Sequence, residues 1–111
     1  MELDKNLIGG STRLLLLSLL SESDRYGYDI IRTLAERSQN VFAFKEGTLY
    51  PVLHKLEAEG CIRSYEKVVD GRRRRYYSIT EQGKKQLAQE RQQWTTFSTA
   101  VAHILNGPAF A

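Results

Sequence analysis

The sequence has one cysteine, Cys61, among its 111 residues. No internal disulfide can form, and nothing points to an oxidising compartment. Proline occurs only at 51 and 108, and each marks a helix end. Long apolar runs are missing. The best candidate, LLLLSLL from Leu14 to Leu20, is far too short to span a bilayer. Glu2 and Asp4 precede it and no small-residue cleavage site follows, which argues against a signal peptide. The expected location is therefore cytoplasmic, with no membrane partner. There is no internal repeat, low-complexity linker, nucleophile elbow, phosphate loop or zinc-protease motif. His54, His103 and Cys61 lie far apart without ligand spacing, so no metal is expected. No cofactor and no enzyme activity are expected either.

What remains is an ordinary globular composition, 41% hydrophobic and 26% charged, of a length suited to one domain with an appended element. The net charge of +3 is unevenly spread. Residues 1–44 carry 5 Lys/Arg and 6 Asp/Glu, whereas residues 45–111 carry 11 and 7. The second part favours an anionic partner.

Ser11 or Thr12 can cap a first helix reaching Leu20, with leucines nearly all round it. SESD (21–24) breaks it. A second helix is predicted from about Tyr26 to Ser38, with Tyr28, Ile31, Leu34 and Ala35 inward. Val41, Phe42 and Phe44 form an apolar connector. In EGTLYPVLHKLEAEG (46–60), Leu49, Val52, Leu53 and Leu56 repeat at i, i+3, i+4 and i+7, which makes one core-facing stripe. Pro51 is tolerated only near a helix start, so Gly47 or Thr48 is the expected cap, and Gly60 the stop. Thr48, Tyr50, Pro51, His54 and Lys55 are left on the outward side.

After Gly60 the period changes to 2. CIRSYEKVV (61–69) and RRYYSI (74–79) read as strands, joined at Asp70-Gly71 by a loop somewhat longer than two residues. Thr80 caps a last helix that reaches about Leu105, roughly 37 Å long. Leu87, Trp94, Phe97, Val101 and Ile104 form a heptad seam along it. Leucines of the first helix, such as Leu16, could bury this seam, and so could the same helix of a second chain. A homodimer is the expectation.

The fold class is thus mainly α with a small β-hairpin. A winged helix-turn-helix domain (1–80) is followed by one long C-terminal dimerisation helix (81–106) and a loose tail (107–111). In such proteins the helix before the hairpin enters the DNA major groove. Thr48, Tyr50, His54 and Lys55 would then face DNA. Arg72, Arg73, Arg74 and Arg75, at or beside the hairpin tip, would reach phosphates or a narrow minor groove. The bland alternative is a solvated basic turn that blunts a sheet edge.

YGYDIIRTL (26–34), EGTLYPVLHKLEAEG and GRRRRYYSITEQG (71–83) resemble the signatures of PadR-type transcriptional regulators, in order, over about residues 10–90. The short C-terminal part is similar to the small PadR subfamily that includes the multidrug-responsive regulator of Lactococcus. The resemblance implies a homodimeric repressor on double-stranded DNA with a palindromic operator, released by a small effector. It implies DNA contacts from Tyr26, Tyr28, Thr48, Leu49, Tyr50, Lys55 and the wing arginines. It disagrees with the apolar stripe over Leu49, and Tyr28 has the same ambiguity. In the multidrug-responsive relatives a tryptophan on the last helix stacks planar aromatic ligands at the dimer centre. Trp94 occupies a similar place, with Phe97 as a second lining residue. The plainer reading makes Trp94 a seam residue filling the dimer core. Two other functions are weighed. A winged helix that docks proteins would expose an apolar patch in place of the wing arginines. A ligand-sequestering dimer would quench Trp94 fluorescence on binding, without specific operator affinity.

Overall fold

The computed structural model describes residues 4–110. Helix α1 spans Lys5–Glu22 and begins earlier than expected, because the Asp4 carboxylate accepts the Asn6 N–H at 2.8 Å. The expected caps lie inside it. The Ser11 and Thr12 hydroxyls donate back to the Ile8 carbonyl at 3.2 and 2.8 Å, as such side chains do in a helix interior. Leu16, Leu17, Leu19 and Leu20 are buried, which puts the C-terminal half of α1 in the core.

A two-residue strand β1, Arg25–Tyr26, precedes α2, Gly27–Arg37. The inward face of α2 is Gly27, Ile30, Thr33 and Leu34, one residue out of phase with the expected stripe, and Tyr28 is 61% exposed. Gln39 and Asn40 take left-handed backbone (φ 52° and 68°) and turn the chain, after which Phe44 is buried while Val41 is exposed.

Helix α3 spans Glu46–Ala58, with Lys45 rather than Gly47 or Thr48 at its N-cap. Pro51 therefore sits in the second turn. The bond it cannot make would go to the Gly47 carbonyl. Gly47 and Pro51 are both exposed, so water can satisfy that carbonyl. Leu49, Leu53 and Leu56 are fully buried, as the stripe requires, and Val52 is half-buried. The stop is a Schellman motif. Gly60 has φ +81°, its N–H donates to Glu57 O at 3.0 Å, and Cys61 N–H donates to Leu56 O at 2.9 Å.

Strands β2 (Ile62–Val69) and β3 (Arg72–Ile79) pair antiparallel from Ile62↔Ile79 to Val69↔Arg72. The turn is thus only Asp70-Gly71, with φ 53° and 76°, the primed geometry that matches strand twist. The expected longer loop is corrected: Arg72 and Arg73 lack apolar alternation because this part of the ribbon is solvated on both faces. β1 pairs with the other edge of β3, giving the order β1-β3-β2.

The Thr80 hydroxyl caps α4, Glu81–Asn106, by accepting the Gly83 N–H at 3.0 Å, and donates to the Gly60 carbonyl at 2.7 Å. One hydroxyl thus ties the end of α3 to the start of α4. Arg13 does the same from α1, meeting Glu59 at 2.9 Å and Glu90 at 3.3 Å. With 26 residues, α4 is roughly 39 Å long. Its first turns pack on the domain through Leu87, and beyond them it is largely exposed. In the region of the expected tail, Gly107–Phe110 form a short 3-10 turn, and Ala111 lies outside the described residues.

Candidate nucleic-acid interface

The outward face of α3 carries Thr48, Pro51, His54 and Lys55, all exposed. Leu49 is 0% exposed and belongs to the core, which decides between the stripe and the resemblance. Tyr50 is not free at the surface. It is half-buried against the core, and its ring centroid lies 6.5 Å from that of His54. Burial foremost, and then the Glu46 carboxylate, pushes its phenol pKa up.

An open groove of about 430 Å³ lies between the start of α2, α3 and β3. Tyr26, Gly27, Tyr28, Tyr50, His54, Arg74, Arg75 and Tyr77 line it. It therefore brings together six of the expected contact residues from four elements, β1, α2, α3 and β3. Thr48 and Lys55 lie on α3 outside this lining, and Arg72 and Arg73 lie nearer the wing tip.

The four arginines do not form one cluster. Alternation along β3 puts Arg72 and Arg74 on the face that carries Tyr76, and Arg73 and Arg75 on the face of the buried Tyr77. The Arg74 guanidinium stacks over the Tyr26 ring at 4.4 Å, and Arg73 Nε meets Glu66 at 3.5 Å. Tyr26, Tyr76 and Tyr65 stand side by side across the three strands, with centroid spacings of 5.5 and 5.7 Å. Lys67 Nζ lies 5.4 Å above the Tyr76 ring. This aromatic row with its two cations was not singled out from the sequence. The register Tyr65↔Tyr76 and Lys67↔Arg74 was its signal.

The expected dimer residues divide into two groups. Leu16, at 0% exposure, and Leu87 are buried inside the protomer, so neither can reach a second chain. Both fill the contact between α1, α4 and the domain core. Trp94, Phe97, Val101 and Ile104 are exposed along α4, and the Trp94 and Phe97 rings lie 6.3 Å apart. Among the described residues no group of three His, Cys, Asp or Glu could hold a metal, and no helix is long and apolar enough to cross a membrane. Cys61 is buried, and burial raises its thiol pKa, the opposite of a reactive thiolate.

The model of the transcriptional regulator PadR-like family matches residues 16–89. An uncharacterised Lysinibacillus sphaericus protein is 36% identical over 103 residues, covering 92% of this chain and 94% of that one. A Clostridium thermocellum transcriptional regulator superposes with a TM-score of 0.82 at 34% identity, covering 88% of this chain and 96% of that one. A PadR-like transcriptional regulator from Bacillus cereus does so with a TM-score of 0.83 at 30% identity, covering 93% and 99%. Sequence, fold and the basic groove agree: the chain belongs to the PadR-like family and is a DNA-binding transcriptional regulator, not an enzyme.

Proposed function

We propose that the chain is a homodimeric repressor that binds a palindromic operator in the cytoplasm. The winged helix-turn-helix domain (1–80) does the binding, and the α4 helix (81–106) joins two copies. The observation that carries this reading is the groove, where Tyr50 and His54 of α3 meet Arg74 and Arg75 of β3. Thr48, His54 and Lys55 reach into the major groove from α3. Tyr26 and Tyr28 approach the backbone, and Arg72 to Arg75 follow phosphates or the minor groove. The exposed row Trp94, Phe97, Val101 and Ile104 supports the dimer, since apolar side chains at this spacing call for a covering surface. Two-fold symmetry then sets half-sites about one helical turn apart, roughly 34 Å.

An effector site follows from the same helix. The Trp94 and Phe97 rings present aromatic faces that suit a planar aromatic ligand. Such a ligand releases the operator only if it binds the DNA-incompetent spacing of the two protomers more tightly.

The test is fluorescence anisotropy against the DNA upstream of the protein's own gene and against a scrambled duplex, over a salt series. Tight, salt-sensitive preference for the native fragment supports the repressor. Equal, weak binding to both, and to duplexes selected from fragmented genomic DNA, would sink it.

A further inference from the structure

Gly27 is buried at the first position of α2, and Tyr26, the N-cap, makes no side-chain cap. Glycine is a poor helix former, so its presence there calls for another reason. The neighbouring helix supplies it. A Cβ at residue 27 would overlap the Tyr50 Oη and lie 3.0 Å from its Cζ and 3.2 Å from its Cε1. The phenol of Tyr50 therefore rests on bare backbone at the start of α2, a contact closer than any side chain at 27 allows.

The position of Tyr50 on α3 gives this contact leverage. It lies between buried Leu49 and exposed Pro51, one residue past the first turn. Pro51 removes the backbone bond that would tie this part of the helix to Gly47. The start of α3 is thus held by fewer internal bonds and more by what Tyr50 rests on. Thr48 lies just before this point, and His54 and Lys55 just after it, so a tilt about it redirects all three.

We propose that Gly27 and Tyr50 are positioning residues that set the angle at which α3 is presented, and that Tyr50 acts by resting on Gly27 and not by reading a base. This rests on the reading of α3 as the DNA-facing helix. The seat governs discrimination between sequences, while the wing arginines govern affinity for any duplex.

The experiment compares the full chain with Gly27→Ala, Tyr50→Leu and the double variant. It uses a duplex selected by the wild-type protein and a scrambled one, with circular dichroism to check folding. Each single change should cut the selected-to-scrambled affinity ratio about tenfold, the size of one poorly read base pair. The salt slope on the scrambled duplex should stay as in wild type. In the double variant the methyl group added at position 27 occupies the space the phenol leaves, so its loss should be smaller than the product of the two single losses. Two sites acting independently would instead give losses that multiply, and that result overturns the proposal. So does a Gly27→Ala protein whose ratio is unchanged. If Gly27→Ala does not fold, Tyr50→Phe decides: a seated ring predicts a smaller loss than Tyr50→Leu, a base-reading hydroxyl an equal one. A wild-type chain that prefers no selected duplex would remove the DNA reading itself, and the seat with it.

Discussion

Lys67 and Arg74 face each other directly across the wing, each held over a different tyrosine: Lys67 above Tyr76 and Arg74 above Tyr26. Like charges placed opposite one another on a sheet destabilise it, and the two rings offset this by separating the cations and attracting each.

Two consequences follow for the wing. Lys67→Gln should leave the melting temperature unchanged or slightly raised, because it relieves the repulsion. Arg74→Ala and Arg75→Ala should weaken binding to every sequence alike, and each lost phosphate contact should flatten the log–log salt slope by about 0.9. Anisotropy titrations from about 50 to about 200 mM salt measure this range. Unchanged affinity at moderate salt in both arginine variants would remove the wing from the interface.

The exposed row on α4 gives a second prediction. Ile104, at 80% exposure, lies far from the domain core, so Ile104→Asp should leave the melting of the winged domain intact. In the proposed dimer it would bury a charge in an apolar seam and should shift the species to monomer at micromolar concentration. Light scattering after size exclusion reads this directly, and a variant that stays dimeric would move the interface elsewhere.

Gly83 makes a third. A Cβ there would overlap the Cys61 carbonyl oxygen and lie 2.7 Å from Ile79 Cγ1 and 2.9 Å from Cys61 C. Backbone cannot yield as a flexible side chain can. Gly83→Ala should therefore cost about 1–3 kcal/mol in urea unfolding, in spite of alanine's better helix propensity. A stabilised Gly83→Ala protein would mean that α4 can shift off β2 at little cost.

Acid response depends in part on Glu22. The Arg37 guanidinium, hydrogen-bonded to it at 2.7 Å, holds its carboxyl down to about 2 from an ordinary 4.5. A carboxyl depressed on folding binds fewer protons in the native state, so its stabilisation is present above about 4.5 and lost as pH falls towards about 2. Melting curves between these limits should fall more steeply for wild type than for Glu22→Gln. The pair is exposed, so the difference should also shrink in high salt.

Much of this was legible in the sequence because one period or one cap governed it. Leu49, Leu53 and Leu56 followed the helical repeat into the core, Gly60 stopped α3, and Thr80 started α4. What the sequence hid was set by neighbours distant along the chain. β1 has only two residues and exists because Tyr76 and Tyr77 offer an edge. Arg72 and Arg73 looked like loop because a strand solvated on both faces shows no apolar alternation. Tyr50 looked outward from α3 alone, but it packs against the core and closes on Gly27 of another helix. Leu16 suited a dimer seam as well as a core until the packing of α1 placed it inside.

The two-residue turn at Asp70-Gly71 has a further meaning for how this protein meets a duplex. Both residues already hold the left-handed backbone that closes the ribbon, and cross-strand bonding runs up to Val69 and Arg72. The tip is a stiff prong and not a floppy loop. Little backbone entropy is left to surrender on contact, so the ribbon meets any partner already folded to its tip.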